Sequence, residues 1–72
     1  MITVYSKPAC VQCTATTRTL DTMGITYRTV DLTEDTEALA LVMSWGFASA
    51  PVVDADGERW AGFRPDLIAA LK

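Results

Sequence analysis

Seventy-two residues provide one domain, residues 1–72, and leave no room for a second. Half of them are apolar and 21% are charged, the composition of a folded chain rather than a disordered one. The net charge is −3 and the six basic residues are scattered. No basic stripe exists to neutralise phosphates, so a nucleic-acid partner is not expected.

Ile2, Thr3, Val4 and Tyr5 alternate as a short strand that Lys7-Pro8-Ala9 breaks. Residues 11–23 lack Pro and Gly and predict a helix, with Gly24 as its C-terminal stop. Cys13, Thr17, Leu20 and Gly24 fall along one side of it. Thr26-Tyr27-Arg28-Thr29-Val30 is rich in β-formers and predicts a second strand. Asp31 or Thr33 is placed to cap the next helix, and Glu34, Asp35 and Glu37 suit its positive end. Leu39, Val42, Met43 and Gly46 give that helix an apolar face. Pro51-Val52-Val53 starts a third strand, Asp54-Ala55-Asp56-Gly57 forms a turn, and residues 58–61 return as a fourth strand. Pro65 opens a closing helix that carries Leu67, Ile68 and Leu71.

The element order is β-α-β-α-β-β-α. Helical connections predict that the first three strands run parallel, with right-handed crossovers, and that the fourth is antiparallel. The expected fold is α/β, a minimal thioredoxin- or glutaredoxin-like domain with a four-stranded mixed sheet flanked by three helices. No stretch approaches the ~20 apolar residues that span a bilayer. Residues 1–5 show no positively charged leader, so the expected compartment is the cytoplasm, with no membrane association. Thiols stay reduced there, which makes a close cysteine pair catalytic or metal-binding rather than a structural staple.

Cys10 and Cys13 are the only cysteines, and Val11 and Gln12 separate them where the first strand passes into the first helix. This pattern is a thioredoxin-like redox motif. Unpaired N–H groups and the helix dipole at a helix start favour a thiolate at Cys10. Lys7 adds nearby positive charge, weakened by its exposure. Cys13 lies one turn on, within reach of Cys10. The more exposed Cys10 is assigned as nucleophile and Cys13 as the resolving thiol. Val11 presents an apolar spot for peptide docking beside the reactive sulfur. Two cysteines filling a core would not be expected at a helix start. Zinc lacks donors, because the chain has no histidine and no second cysteine pair.

The segment from Tyr5 through Cys10-Val11-Gln12-Cys13 to Thr16 closely resembles the active-site segment of the NrdH redoxins, a glutaredoxin-like family. Ala50-Pro51-Val52-Val53 and Trp60-Ala61-Gly62-Phe63-Arg64-Pro65-Asp66 match two further signatures of that family, in the same order. The resemblance implies a thioredoxin-like electron donor for class Ib ribonucleotide reductase. Its partners would be thioredoxin reductase and the C-terminal tail of the reductase's large subunit. It would hold no cofactor of its own, with NADPH used through thioredoxin reductase, and it would act as a monomer. The resemblance also makes Pro51 a cis-proline, although only ~5–6% of X–Pro bonds are cis. It lets the Ala50 backbone pair with an incoming extended peptide, and it places Trp60, Phe63 and Arg64 near the partner groove; the residues themselves leave ordinary core packing equally open for Trp60 and Phe63, and a solvated helix start for Arg64. Lys7, Val11 and Gln12 complete the expected partner-binding set. Ser49 and Ala61 depart from the family pattern, where Gln and Ser are expected. Trp45 and Phe47 are expected in the core.

Two rival functions remain open at the sequence level. A glutathione-dependent glutaredoxin would carry a Gly-Gly-acidic arrangement after the last strand, where this chain has Gly62-Phe63-Arg64. A copper(I)-binding module also uses C-x-x-C between strand and helix, but its order ends in a strand.

Overall fold

The structure is a computed structural model and describes residues 1–71. Its elements are β1 (Ile2–Ser6), α1 (Val11–Thr22), β2 (Tyr27–Asp31), α2 (Thr36–Ser44), β3 (Val52–Ala55), β4 (Glu58–Ala61) and α3 (Pro65–Ala69). They form one mixed sheet in the order β2-β1-β3-β4. The closing element is a helix, unlike that of the copper-binding order.

β1 is central and buries residues toward both faces, so its polar alternation is muted. Val4 packs with Leu20, Val53, Ala55, Trp60 and Ile68 on the face covered by α1 and α3. Tyr5 packs with Ala38, Val42 and Val52 on the face covered by α2. Period-2 geometry sends neighbouring Val4 and Tyr5 to opposite sides. Cross-strand register lines up Val4, Val53 and Trp60 on one face and Tyr5, Val52 and Ala61 on the other.

The direction of β3 corrects the sequence reading. β1 and β2 are parallel, but β3 runs antiparallel to β1, pairing Tyr5 with Val52 and Ile2 with Ala55. A helical connection reverses a strand when the chain after the helix travels back. The seven residues between Ser44 and Val52 do so here; extended, they reach about 23 Å, more than the ~13 Å rise of a nine-residue helix. β3 therefore starts beside the C-terminal end of β1, where α1 also starts.

Local chemistry differs from expectation at three other points. Asp35, not Asp31 or Thr33, caps α2: its carboxylate accepts the Ala38 N–H at 2.9 Å. Asp31 instead closes its own turn, accepting the Thr33 N–H at 2.8 Å. The buried side of α1 is Cys13, Thr16 and Leu20, with Thr16 rather than Thr17 in the interior. Thr16 is tolerated there because its hydroxyl donates to Gln12 O at 2.8 Å. The hairpin turn is shorter than four residues. β3 runs through Ala55, and Asp56 and Gly57 alone turn the chain at φ +53° and +105°, the two positive values a tight hairpin requires.

Candidate functional site

The cysteines sit where the geometry of β1 and α1 places them. Cys10 is the N-cap of α1 with an extended backbone, and its Sγ accepts the Cys13 N–H at 3.1 Å. That contact puts an unpaired helix-start donor against the sulfur and favours negative charge on it. Ala9 precedes it at φ +55°, a left-handed conformation that costs a non-glycine residue about 1–2 kcal/mol and is held by the surrounding loop. The sequence carried no sign of this strain. Cys10 and Cys13 are joined in a disulfide, with Cα atoms 5.2 Å apart.

The two sulfurs are not equivalent. Cys13 is buried and Cys10 is half-buried next to fully open Val11. A partner's disulfide can reach Cys10 first. Opposite it, Cys10 Sγ lies 4.0 Å from Ala50 O. The Ala50–Pro51 peptide bond is cis. Pro51 is buried, and its carbonyl accepts the Gly62 N–H at 2.8 Å.

Gln12 is exposed, but its Oε1 accepts the Phe63 N–H at 3.4 Å. Gly62 lets the chain turn there: it adopts φ +86°, a left-handed conformation that favours glycine. The active-site turn, the proline loop and the Gly62-Phe63 segment are thus fastened to one another. Gln12 is a link in this frame as much as a surface residue.

The remaining candidates separate. Phe63 is half-buried and packs on the core beside α3. Arg64 is exposed at the start of α3, and its guanidinium donates to both Asp66 carboxylate oxygens at 3.2 and 3.0 Å. The Arg64 hydrogen bond holds the Asp66 carboxyl below the usual carboxylate range. Lys7 is exposed and lines the groove beside Ala50. For Trp60 the core reading holds rather than the partner-facing one. Its indole is 6% exposed and packs among Val4, Leu20, Val53 and Ile68, so the ring faces the core rather than a partner. Trp45 and Phe47 are half-buried against the other core cluster. Trp45 meets Tyr5 edge-on at 5.8 Å, and the Arg59 guanidinium covers it 4.1 Å from the ring centre.

The apolar face of α2 is placed differently from the sequence reading. Leu39 and Met43 of that face are 40% and 60% exposed, while Ala38 and Val42 carry the buried side of α2. The apolar spacing was visible, but which residues of a half-apolar helix meet the sheet depends on its rotation. No helix among the described residues is long and apolar enough to cross a membrane.

A disulfide-bonded cysteine pair at the start of the first helix of a mixed four-stranded sheet, facing a cis-proline, defines a thioredoxin-fold thiol–disulfide protein. Comparison with known proteins narrows this. The glutaredoxin family model matches residues 2–60. Glutaredoxin-like protein NrdH of Escherichia coli K12 is 39% identical over 70 residues, covering 97% of this chain and 86% of that protein. The NrdH protein of Lactococcus lactis subsp. cremoris is 37% identical over 71 residues and covers 99% of both. The solved structure of Escherichia coli NrdH-redoxin superposes with a TM-score of 0.96 at 38% identity, covering 99% of this chain and 93% of that one. The chain belongs to the glutaredoxin family, among its glutaredoxin-like NrdH redox proteins.

Proposed function

We propose that this protein is a cytoplasmic, monomeric dithiol–disulfide oxidoreductase that carries electrons from thioredoxin reductase to class Ib ribonucleotide reductase. The observation that carries the reading is the unequal Cys10–Cys13 pair, with Cys10 accessible at a helix N-cap and Cys13 buried one turn away. Full-length likeness to NrdH proteins supports the partner assignment, and the Escherichia coli relative is described as having a thioredoxin-like activity profile.

In the reduced protein the Cys10 thiolate attacks one sulfur of the substrate disulfide. A Cys10–substrate disulfide forms and one substrate thiolate leaves, taking a proton from water. Cys13 then loses its proton and attacks Cys10 Sγ, restoring the Cys10–Cys13 bond and releasing the second substrate thiol. The substrate gains two electrons and this protein loses them. The Cys13 N–H that contacts Cys10 Sγ stabilises the Cys10 thiolate that starts the cycle, and the same thiolate when it leaves the mixed disulfide with thioredoxin reductase at the end of the return exchange. The reverse exchange with the dithiol of thioredoxin reductase restores the pair. NADPH supplies electrons to that enzyme, and this chain binds no cofactor itself.

The test is a coupled assay on the oxidised protein. Thioredoxin reductase with NADPH should consume NADPH at a rate that rises with the concentration of this protein. Glutathione with glutathione reductase should give little turnover. The opposite pattern would make the protein a glutathione-dependent glutaredoxin.

A further inference from the structure

Trp45 stands at the foot of the loop that carries the cis-proline to the redox site. It is the C-cap of α2, and residues 45–51 run from it to β3. Two side chains hold its ring, and a third holds one of them. Tyr5 meets the ring edge-on at 5.8 Å. The Arg59 guanidinium lies over its face, 4.1 Å from the centre. Asp54 faces Arg59 across the β3–β4 register, with its Oδ2 3.7 Å from Arg59 Nε. Higher in the loop the backbone is bare. The Phe47 N–H donates to Val42 O at 3.3 Å, but among the described residues the N–H groups of Ala48, Ser49 and Ala50 donate no backbone hydrogen bond, and Pro51 has no N–H. The Ala50 carbonyl, 4.0 Å from Cys10 Sγ, is therefore placed from the two ends of the loop. One end is Pro51, bonded to Gly62; the other is Trp45.

We infer that Arg59 is a positioning residue for disulfide exchange: by clamping Trp45 it fixes the entry end of the cis-proline loop, and with it the Ala50 backbone against which a polypeptide substrate pairs. The inference rests on the oxidoreductase reading above. Arg59 acts from a distance. Through Asp54 it shares a register row with Thr3, three residues before Ser6, so it sits about 10 Å below the end of β1 that leads to Cys10. It touches neither sulfur, and its route to the site is the ring and the chain that follows it. The clamp also suits its setting. The Arg59 side chain is 40% exposed, so its charge keeps water on one side while its plane stacks on the indole.

The test compares two substrates in a single turnover of pre-reduced protein, with thioredoxin reductase absent. One is a synthetic peptide with an internal cystine, which pairs along Ala50. The other is bis(2-hydroxyethyl) disulfide, too small to use that backbone. In Arg59→Met the peptide concentration for half-maximal rate should rise roughly two- to fivefold, the size of a cation–π contact at a half-exposed site. The limiting rate, and the rate on the small disulfide, should stay the same. Arg59→Lys keeps a cation near the ring and should fall closer to wild type than Arg59→Met. Trp45→Leu should give the same rise as Arg59→Met, and combining the two should add nothing, because the guanidinium acts through the ring. An unchanged half-saturation in Arg59→Met overturns the inference, and so does a double variant whose effects add. An equal loss on both substrates with a lowered denaturant midpoint overturns it too, since the contact would then serve stability alone. If the reduced wild-type protein reacts with neither substrate, the oxidoreductase reading itself fails.

Discussion

Gln12 Oε1 accepts the backbone N–H of Phe63 at 3.4 Å, so a residue between the two cysteines is tied to a segment 51 positions away. The Gly62 N–H in turn donates to Pro51 O at 2.8 Å. The walls around the disulfide are therefore braced by two hydrogen bonds that converge on the Gly62-Phe63 turn.

Gln12→Ala removes the first brace. The bond is long and exposed, so its loss should cost at the low end of about 0.5–1.5 kcal/mol. Hydrogen exchange reads it more directly: the Phe63 amide should exchange several-fold faster in Gln12→Ala, with Val4 and Val53 unaffected. Unchanged protection at Phe63 would show that the contact holds nothing in place.

Cys13→Ser separates the roles of the sulfurs. Cys10 can still attack a substrate disulfide, but no thiol remains to release it. Mass spectrometry should find a stable adduct on Cys10, and turnover should cease. Cys10→Ser should neither turn over nor form an adduct. Full turnover by Cys13→Ser would reverse the assignment.

Trp60 tests the placement of its segment. The ring is in the core, and its Nε1 is buried with no hydrogen-bond partner among the described residues. Trp60→Ala should cost about 3–5 kcal/mol, a large share of the stability of so short a chain. Trp60→Phe keeps most of the apolar bulk and removes the unpaired donor, so it should cost under about 2 kcal/mol. Denaturant midpoints measure both. A cost-free Trp60→Ala that slowed reduction of a protein disulfide would return the ring to the partner surface.

Tyr27 provides a pH test. Partial burial and then its hydrogen bond to Asp21, at 2.9 Å, hold its pKa above the ordinary 10.0. The native state thus keeps this proton more tightly than the unfolded chain. The resulting stability is complete below the unfolded pKa and is lost as pH rises through the higher folded one. The oxidised protein should therefore lose more stability than Tyr27→Phe between about pH 9 and about pH 11. Parallel decline of the two in urea melts would refute the assignment.

The chain carries its element order, and the Cys10-Val11-Gln12-Cys13 turn at a helix start, in plain view. Strand and helix periodicity are local properties, and a helix N-cap is a local electrostatic fact, so residues near in sequence sufficed for both. Even the cis state of Pro51 was reached only through family likeness. The direction of β3, the burial of Trp60, the rotation of α2 that exposes Leu39 and Met43, and the bond from Gln12 to Phe63 were decided by tertiary structure. Each depends on how distant segments share one small core, where a loop's return path and a helix's rotation are set by packing that no local pattern encodes.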